Sequence, residues 1–359
     1  MSNKTSIQAL FTAALAVALV ASALTVRADV ISVAMVPVGD AGNVADTATG
    51  SLYGAVPYNF NIGKYDVTTS QYVAFLNSVA TQGDPYGLYY SGMATDLSTV
   101  HITQSGSPGS YNYAVTGTAP GATNMPVFDV SWGDAARFCN WLQNGQPTTG
   151  VENSTTTEAG AYALNGATTD AQLMAVPSPA HSGAGAASYF IPSENEWYKA
   201  AYYDPTLNGG TGGYWAYPTK SNTAPVNILS PTGRNNANFY DYYGTGNGGY
   251  TDPTNLLTPV GSFADSPGPY GTYDMGGDVW QWNEADISGS FRGLRGGSWY
   301  YYSSIFLASS VRNFYNPTLE NHNNGFRVAS SVAVPEPGSI TLLLACAVGF
   351  GIWRRRRNA

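Results

Sequence analysis

The side chains able to do chemistry crowd into one stretch, Tyr270 to Trp299, where glycines, tryptophans, carboxylates and arginines stand together with little aliphatic padding. Asp274, Asp278, Glu284 and Asp286 could hold a hard cation or move protons. Arg292 and Arg295 could clamp carboxylates. Soft-metal and thiol chemistry has few carriers. There are 2 cysteines in 359 residues. Cys139 falls on an apolar helical face and reads as a small buried hydrophobe, and Cys346 falls in an apolar run near the chain end. The body can therefore form no internal disulfide. The 3 histidines, His101, His181 and His322, show no metal-ligand spacing. His181, in a Thr-, Gly-, Ala- and Ser-rich stretch over 143–188, is expected to be solvated. His322, in Asn321-His322-Asn323-Asn324-Gly325, is placed to line a cleft.

Several local elements must position this stretch. In Gly63-Lys64-Tyr65-Asp66-Val67-Thr68-Thr69-Ser70-Gln71-Tyr72, Thr69 or Ser70 is expected to cap a helix with Tyr72, Val73, Leu76 and Val79 on one face. A short strand should end at Val130. Ser131 followed by Asp134 then makes a carboxylate capping box for a helix that buries Ala135, Phe138, Cys139 and Leu142. Ser193 and Glu196 repeat the device for a helix that buries Trp197, Ala200 and Ala201. Helix capping, not catalysis, explains Glu194 and Glu196. Arg295 and Arg327 read as internal clamps for carboxylates such as Asp286, whereas Tyr301 and Arg312 stay open for ligand.

Composition narrows the functional class. Charged residues are only 11%, against 41 glycines and 26 tyrosines, which suits an exported, loop-rich protein. The formal net charge is −8, and six of the 15 basic residues (Lys4, Arg27 and Arg354 to Arg357) sit in terminal segments. Such an acidic body is not expected to bind nucleic acid. Residues 1–28 read as a signal peptide: Lys4, an apolar run over Ile7 to Leu24, then Val26-Arg27-Ala28. At the other end, Val334-Pro335-Glu336-Pro337 precedes the apolar Ile340 to Trp353 and four arginines. This end, residues 334–359, resembles the PEP-CTERM sorting signal. The resemblance implies a Gram-negative bacterium, transient anchoring in the inner membrane by a transmembrane helix, and cutting near Pro335, Glu336 and Pro337 by an exosortase-type peptidase. Cell-surface or extracellular release would follow.

Three ordered pieces carry a second resemblance: Tyr273-Asp274-Met275-Gly276-Gly277-Asp278-Val279-Trp280-Gln281-Trp282, Leu294-Arg295-Gly296-Gly297-Ser298-Trp299 and Gly325-Phe326-Arg327. Together with Met125 to Leu142 and Tyr189 to Ala201, they are similar to the formylglycine-generating sulfatase-modifying factor family. The resemblance covers about Tyr53 to Ala329. It implies an α+β, C-type-lectin-like fold with little regular secondary structure, over a domain 53–331 preceded by a linker or strand over 29–52. It also implies two calcium sites. One would use Asn238, Phe239, Asp252 and Thr254. The other would use Asp274 with carbonyls of Met275, Gly277 and Val279, although Asp278 stands where the family has Asn and Gln281 where it has Glu. The copper-binding cysteines of the active oxidases would fall on Tyr301 and Phe306, and related oxidases carry a three-histidine iron site that has no counterpart here. Copper and iron are therefore not expected. Ser298, Trp299, Tyr301, Arg312 and His322 become ligand-binding candidates, for carbohydrate or an extracellular peptide. The leading expectation is an exported, non-catalytic binding or structural module at the cell surface or in exopolysaccharide. The alternatives are an oxidase or other enzyme with a rebuilt site, and a calcium-dependent lectin.

Overall fold

Strand β1 (Met35–Val38) pairs antiparallel with β2 (Phe60–Gly63), with Met35 opposite Gly63. The computed structural model describes residues 31–244 and 246–331. The expected signal peptide, transmembrane run and Pro335, Glu336 and Pro337 lie outside the described residues. No helix among the described residues is long and apolar enough to cross a membrane. One unit begins at Val33, so the segment set apart as linker or strand supplies β1.

Helix α1 (Thr69–Val79) is capped by Thr68, one residue before the expected cap. Thr68 Oγ1 accepts from Gln71 N at 3.3 Å and Thr68 N donates to Gln71 Oε1 at 2.9 Å. Thr68 wins because its extended backbone stands three residues before a side chain that can answer it. The inner face is Tyr72, Phe75, Leu76 and Val79, with Phe75 in place of Val73. Strands β3 (His101–Ser105) and β4 (Asn112–Thr116) form a hairpin. Helix α2 (Trp132–Gln143) starts at the Ser131–Asp134 box, where Asp134 Oδ2 accepts from Ser131 N at 2.8 Å. Its residues 132–142 are all buried, Cys139 included. A short α3 (Asp170–Met174) follows, then α4 (Glu194–Tyr202) on the Ser193–Glu196 box. Next comes the small pair β5 (Tyr203–Asp204) and β6 (Gly213–Tyr214).

The signature stretch forms the second sheet. Strands β7 (Trp280–Ile287) and β8 (Phe291–Arg295) make a hairpin with an irregularity between Trp282 and Asp286. Strand β9 (Asn313–Tyr315) pairs with β8, and β10 (Asn324–Gly325) runs parallel to β7. Strand β11 (Ala329–Ser330) returns to β2, completing the order β1-β2-β11. Long loops account for most of the rest. This is the α+β, loop-rich architecture expected from the sequence.

Tryptophans fill the core; the N–H groups of Trp141, Trp197 and Trp282 find partners, whereas those of Trp132 and Trp280 have none among the described residues. Trp132, Trp141, Trp197, Trp280 and Trp282 are among the largest fully buried side chains. Trp282 Nε1 donates to Val130 O at 2.9 Å, which fixes the sheet against the start of α2. Trp197 Nε1 donates to Gln281 Oε1 at 2.6 Å, tying α4 to β7. An indole N–H left unpaired in such a core would cost about 1–3 kcal/mol.

Candidate binding site

Two arginines lock the signature together. Arg327 is fully buried, and its guanidinium reaches four oxygens: Gln281 Oε1 at 2.6 Å, Gly63 O at 2.8 Å, Tyr273 O at 2.9 Å and Asp66 Oδ1 at 3.2 Å. Gln281 also donates to Asp274 O at 2.7 Å, so a single amide serves Trp197, Arg327 and the Asp274 turn. Arg295 pairs with Glu194 at 2.8 Å and donates to Ser309 O and Val311 O. Both are the internal clamps expected, but neither holds Asp286, which accepts from Gly289 N within its own hairpin. Glu194 is a double partner, because Arg312 Nη2 reaches its other oxygen at 2.6 Å. Arg312, a ligand candidate from sequence, is thus committed to Glu194 and lies against the Tyr53 ring at 5.5 Å.

His181 corrects the sequence expectation. It is buried, its ring stacked on Phe190 at 3.8 Å. Nδ1 is 2.9 Å from Glu196 and Nε2 is 3.2 Å from Glu284. Tyr162 Oη donates to Glu284 at 2.5 Å, and Tyr58 Oη donates to Glu196 at 3.1 Å. Burial alone would push the imidazole pKa down, but the hydrogen bonds and charges of the two glutamates outweigh it and raise it to about 10. The imidazolium this favours bolts its loop to α4 and β7. Nothing in its flat, polar sequence neighbourhood marked two glutamates 15 and 103 residues away as partners.

The expected calcium donors are drawn into the protein's own hydrogen bonds. Asn238 turns its NH2 inward, donating to Leu256 O at 2.8 Å and Asp278 Oδ1 at 2.7 Å. Phe239 O accepts from Asn227 Nδ2 and Thr251 Oγ1. Asp252 folds onto its own turn, accepting from Thr254 N and Asn255 N, both at 3.0 Å. Asp278 accepts from Thr258 N and Thr258 Oγ1 as well. Gly277 has φ +90, and a Cβ there would meet Asn238 O at 2.2 Å, so the two segments touch through backbone. In the second set, Asp274 Oδ2 accepts from Gly261 N at 2.7 Å, and Met275 and Val279 are buried beside it. Burial lifts the Asp274 and Asp278 carboxyls, and the charge of Arg327 works against that at Asp274. In this arrangement the Asn238 amide N–H2, both Asp252 carboxylate oxygens and Asp274 Oδ2 are engaged by the protein's own groups.

Around Ser298 the chain presents rings. Ser298 is buried and its Oγ accepts from Asn323 Nδ2 at 3.3 Å. Trp299 is also buried, donating to His322 O at 3.3 Å. His322 stands 5.4 Å from both Trp299 and Tyr300, half-buried, and burial holds its pKa below the usual imidazole value. Tyr301, the central ligand candidate, turns inward. It meets the Trp280 ring edge-on at 5.4 Å and Phe306 at 4.8 Å, and its hydroxyl lies 3.3 Å from that of Tyr315. Its flanking residues do the opposite: Tyr300 is 40% exposed and Tyr302 53%. Beside them, Tyr242 and Tyr243 are 67% and 73% exposed. This second loop was not singled out from the sequence, although its Tyr-Asp-Tyr-Tyr-Gly composition was the available signal.

The chain is 25% identical over 241 residues to the formylglycine-generating enzyme of Thermomonospora curvata, covering 62% of this chain and 58% of that protein. It is 27% identical over 165 residues to the hercynine oxygenase of Mycolicibacterium smegmatis, covering 40% of this chain and 33% of that one. The chain thus spans less than two thirds of the curated relatives it matches. Among solved structures, Treponema denticola variable protein 1 superposes with a TM-score of 0.49 at 20% identity, covering 84% of this chain and 96% of that one. The sulfatase-modifying factor enzyme 1-like domain matches residues 34–332, most of the chain, and the protein belongs to that family.

Proposed function

We propose that this protein is an exported, non-catalytic member of the family, acting as a binding or structural module at the cell surface or in exopolysaccharide. One observation carries the reading. Tyr301 and Phe306 fill, ring against ring, the place where the family resemblance puts two copper-binding cysteines. A phenol and a phenyl group cannot supply the thiolates that soft Cu(I) requires. The free cysteine among the described residues, Cys139, is buried, and burial raises its pKa well above that of an ordinary thiol. It is no substitute nucleophile. The terminal segments of the sequence support export, and the acidic body disfavours nucleic acid as partner. The calcium-dependent lectin alternative is not favoured, because the donor sets close on themselves.

A Cu(I) titration against a competing chelator tests the metal side of this reading. The wild-type protein is expected to withdraw no copper from the chelator. Tight binding of one copper per chain would contradict the proposal and return the oxidase alternative to first place.

A further inference from the structure

We propose that two loops, residues 240–244 with 246–250 and residues 299–306, form one preorganised platform for a neutral polysaccharide. This rests on reading the protein as a binding module, and it names the ligand class. The rings of Tyr240, Tyr242, Tyr243, Tyr250, Tyr300 and Tyr302 form a continuous set. Tyr240 is 4.6 Å from Tyr250 and 5.9 Å from Tyr302. Tyr242 is 5.3 Å from Tyr243 and 6.3 Å from Tyr302, and Tyr302 is 6.2 Å from Tyr300. The two loops are joined by backbone, Tyr242 N donating to Tyr302 O at 3.3 Å.

The platform is braced from below. Asp241 and Gly249 exchange both backbone hydrogen bonds, at 2.7 and 3.0 Å. The buried Asp241 carboxylate accepts from Gly246 N at 2.6 Å and Gly248 N at 3.3 Å. A loop held in this way gives up little conformational freedom on binding. Tyrosine and glycine dominate it, a composition that suits recognition loops because tyrosine offers large area at low entropy cost.

Charge selects the ligand. Asp241 is the one ionic residue in the two segments, and it is spent on the loop itself. What faces outward is aromatic surface rimmed with phenol hydroxyls, on a protein of formal charge −8. Nucleic acid and anionic polysaccharide would find no cations and a repelling body. A charged peptide would find no counter-ion. A neutral sugar chain matches on both counts: its ring faces present C–H groups to aromatic faces, and its hydroxyls meet tyrosine hydroxyls.

Affinity electrophoresis of the protein through native gels containing mannan, xylan, β-glucan or, as the anionic counterpart, alginate tests this. At least one neutral polymer should retard the wild type, equally with EDTA and with calcium. Tyr242→Ala/Tyr302→Ala should weaken retardation at least tenfold while keeping the wild-type thermal midpoint within a few degrees, and Tyr242→Phe/Tyr302→Phe should keep part of it. Retardation by alginate alone, by none of the polymers, or equally for the alanine variant would overturn the platform. Those results would leave the non-catalytic reading standing, since that reading falls only on copper binding or product formation.

Discussion

Raising the pH from about 5 to about 9 is expected to lower the thermal midpoint of this protein steeply, because several buried carboxyls are held protonated by the fold. Glu152 is 5% exposed, and burial, then the charge and hydrogen bond of Asp84, raise its pKa to about 10. Asp84 itself accepts from Leu88 N and Tyr89 N at 2.7 and 2.8 Å. Asp129 is wholly buried, with no hydrogen-bond partner at either carboxyl oxygen, and burial, then Asp96, raise it to about 8. Burial also raises Asp134 and Glu320, whose carboxyls repel each other.

A group whose folded pKa lies above its unfolded one contributes stability that is complete below the unfolded value. That stability is lost as pH rises through the folded value. For Glu152 and Asp129 the loss extends from the ordinary carboxylate range to about 10 and about 8. His181 has the same sign, losing its contribution between its ordinary value of 6.5 and about 10. Asp170 and Asp204 are shifted down and work the other way, but only in acid. The sum should amount to several kcal/mol between mildly acidic and alkaline pH. Glu152→Gln removes the ionisation. Its midpoint should match wild type near pH 5 and exceed it near pH 9. A wild-type midpoint that holds steady or rises across that range would refute the assignment.

Arg327→Met should be the most damaging single change in the signature. It removes a buried cation from four oxygen partners and leaves the fully buried Asp66 alone. Breaking a buried pair from one side costs about 3–5 kcal/mol, a fall in midpoint on the order of 10 °C. Adding Asp66→Asn should recover part of it, since the stranded carboxylate is gone, and the double-mutant cycle isolates the pair. An unchanged midpoint for the single variant would show that the clamp does not hold the two sheets together.

The local devices were the legible part of the sequence. Ser131 with Asp134 and Ser193 with Glu196 declare their helices because the capping box depends only on three-residue spacing. The arginines announced that they needed carboxylates, but Asp286, their neighbour in sequence, was the wrong partner. The real ones lie 101 residues from Arg295 and 261 from Arg327. No periodicity encodes such separations. His181 was missed for the same reason, since a lone histidine among small polar residues looks solvated until Glu196 and Glu284 arrive from other elements. In the tyrosine triplet, which ring turns inward is decided by Trp280 and Phe306 and not by spacing. So Tyr301 was favoured where Tyr300 and Tyr302 face solvent.

The proposed absence of chemistry at the ring-filled site is tested most directly with a thiol substrate. The purified protein is incubated aerobically with a cysteine-containing sulfatase peptide, with Cu(I) and separately with Fe(II), and the peptide is read by mass spectrometry for conversion of its cysteine to the aldehyde. No aldehyde above the protein-free control is the expected result. Metal-dependent aldehyde formation that Tyr301→Ala alters would contradict the account and make this chain an enzyme with a rebuilt site.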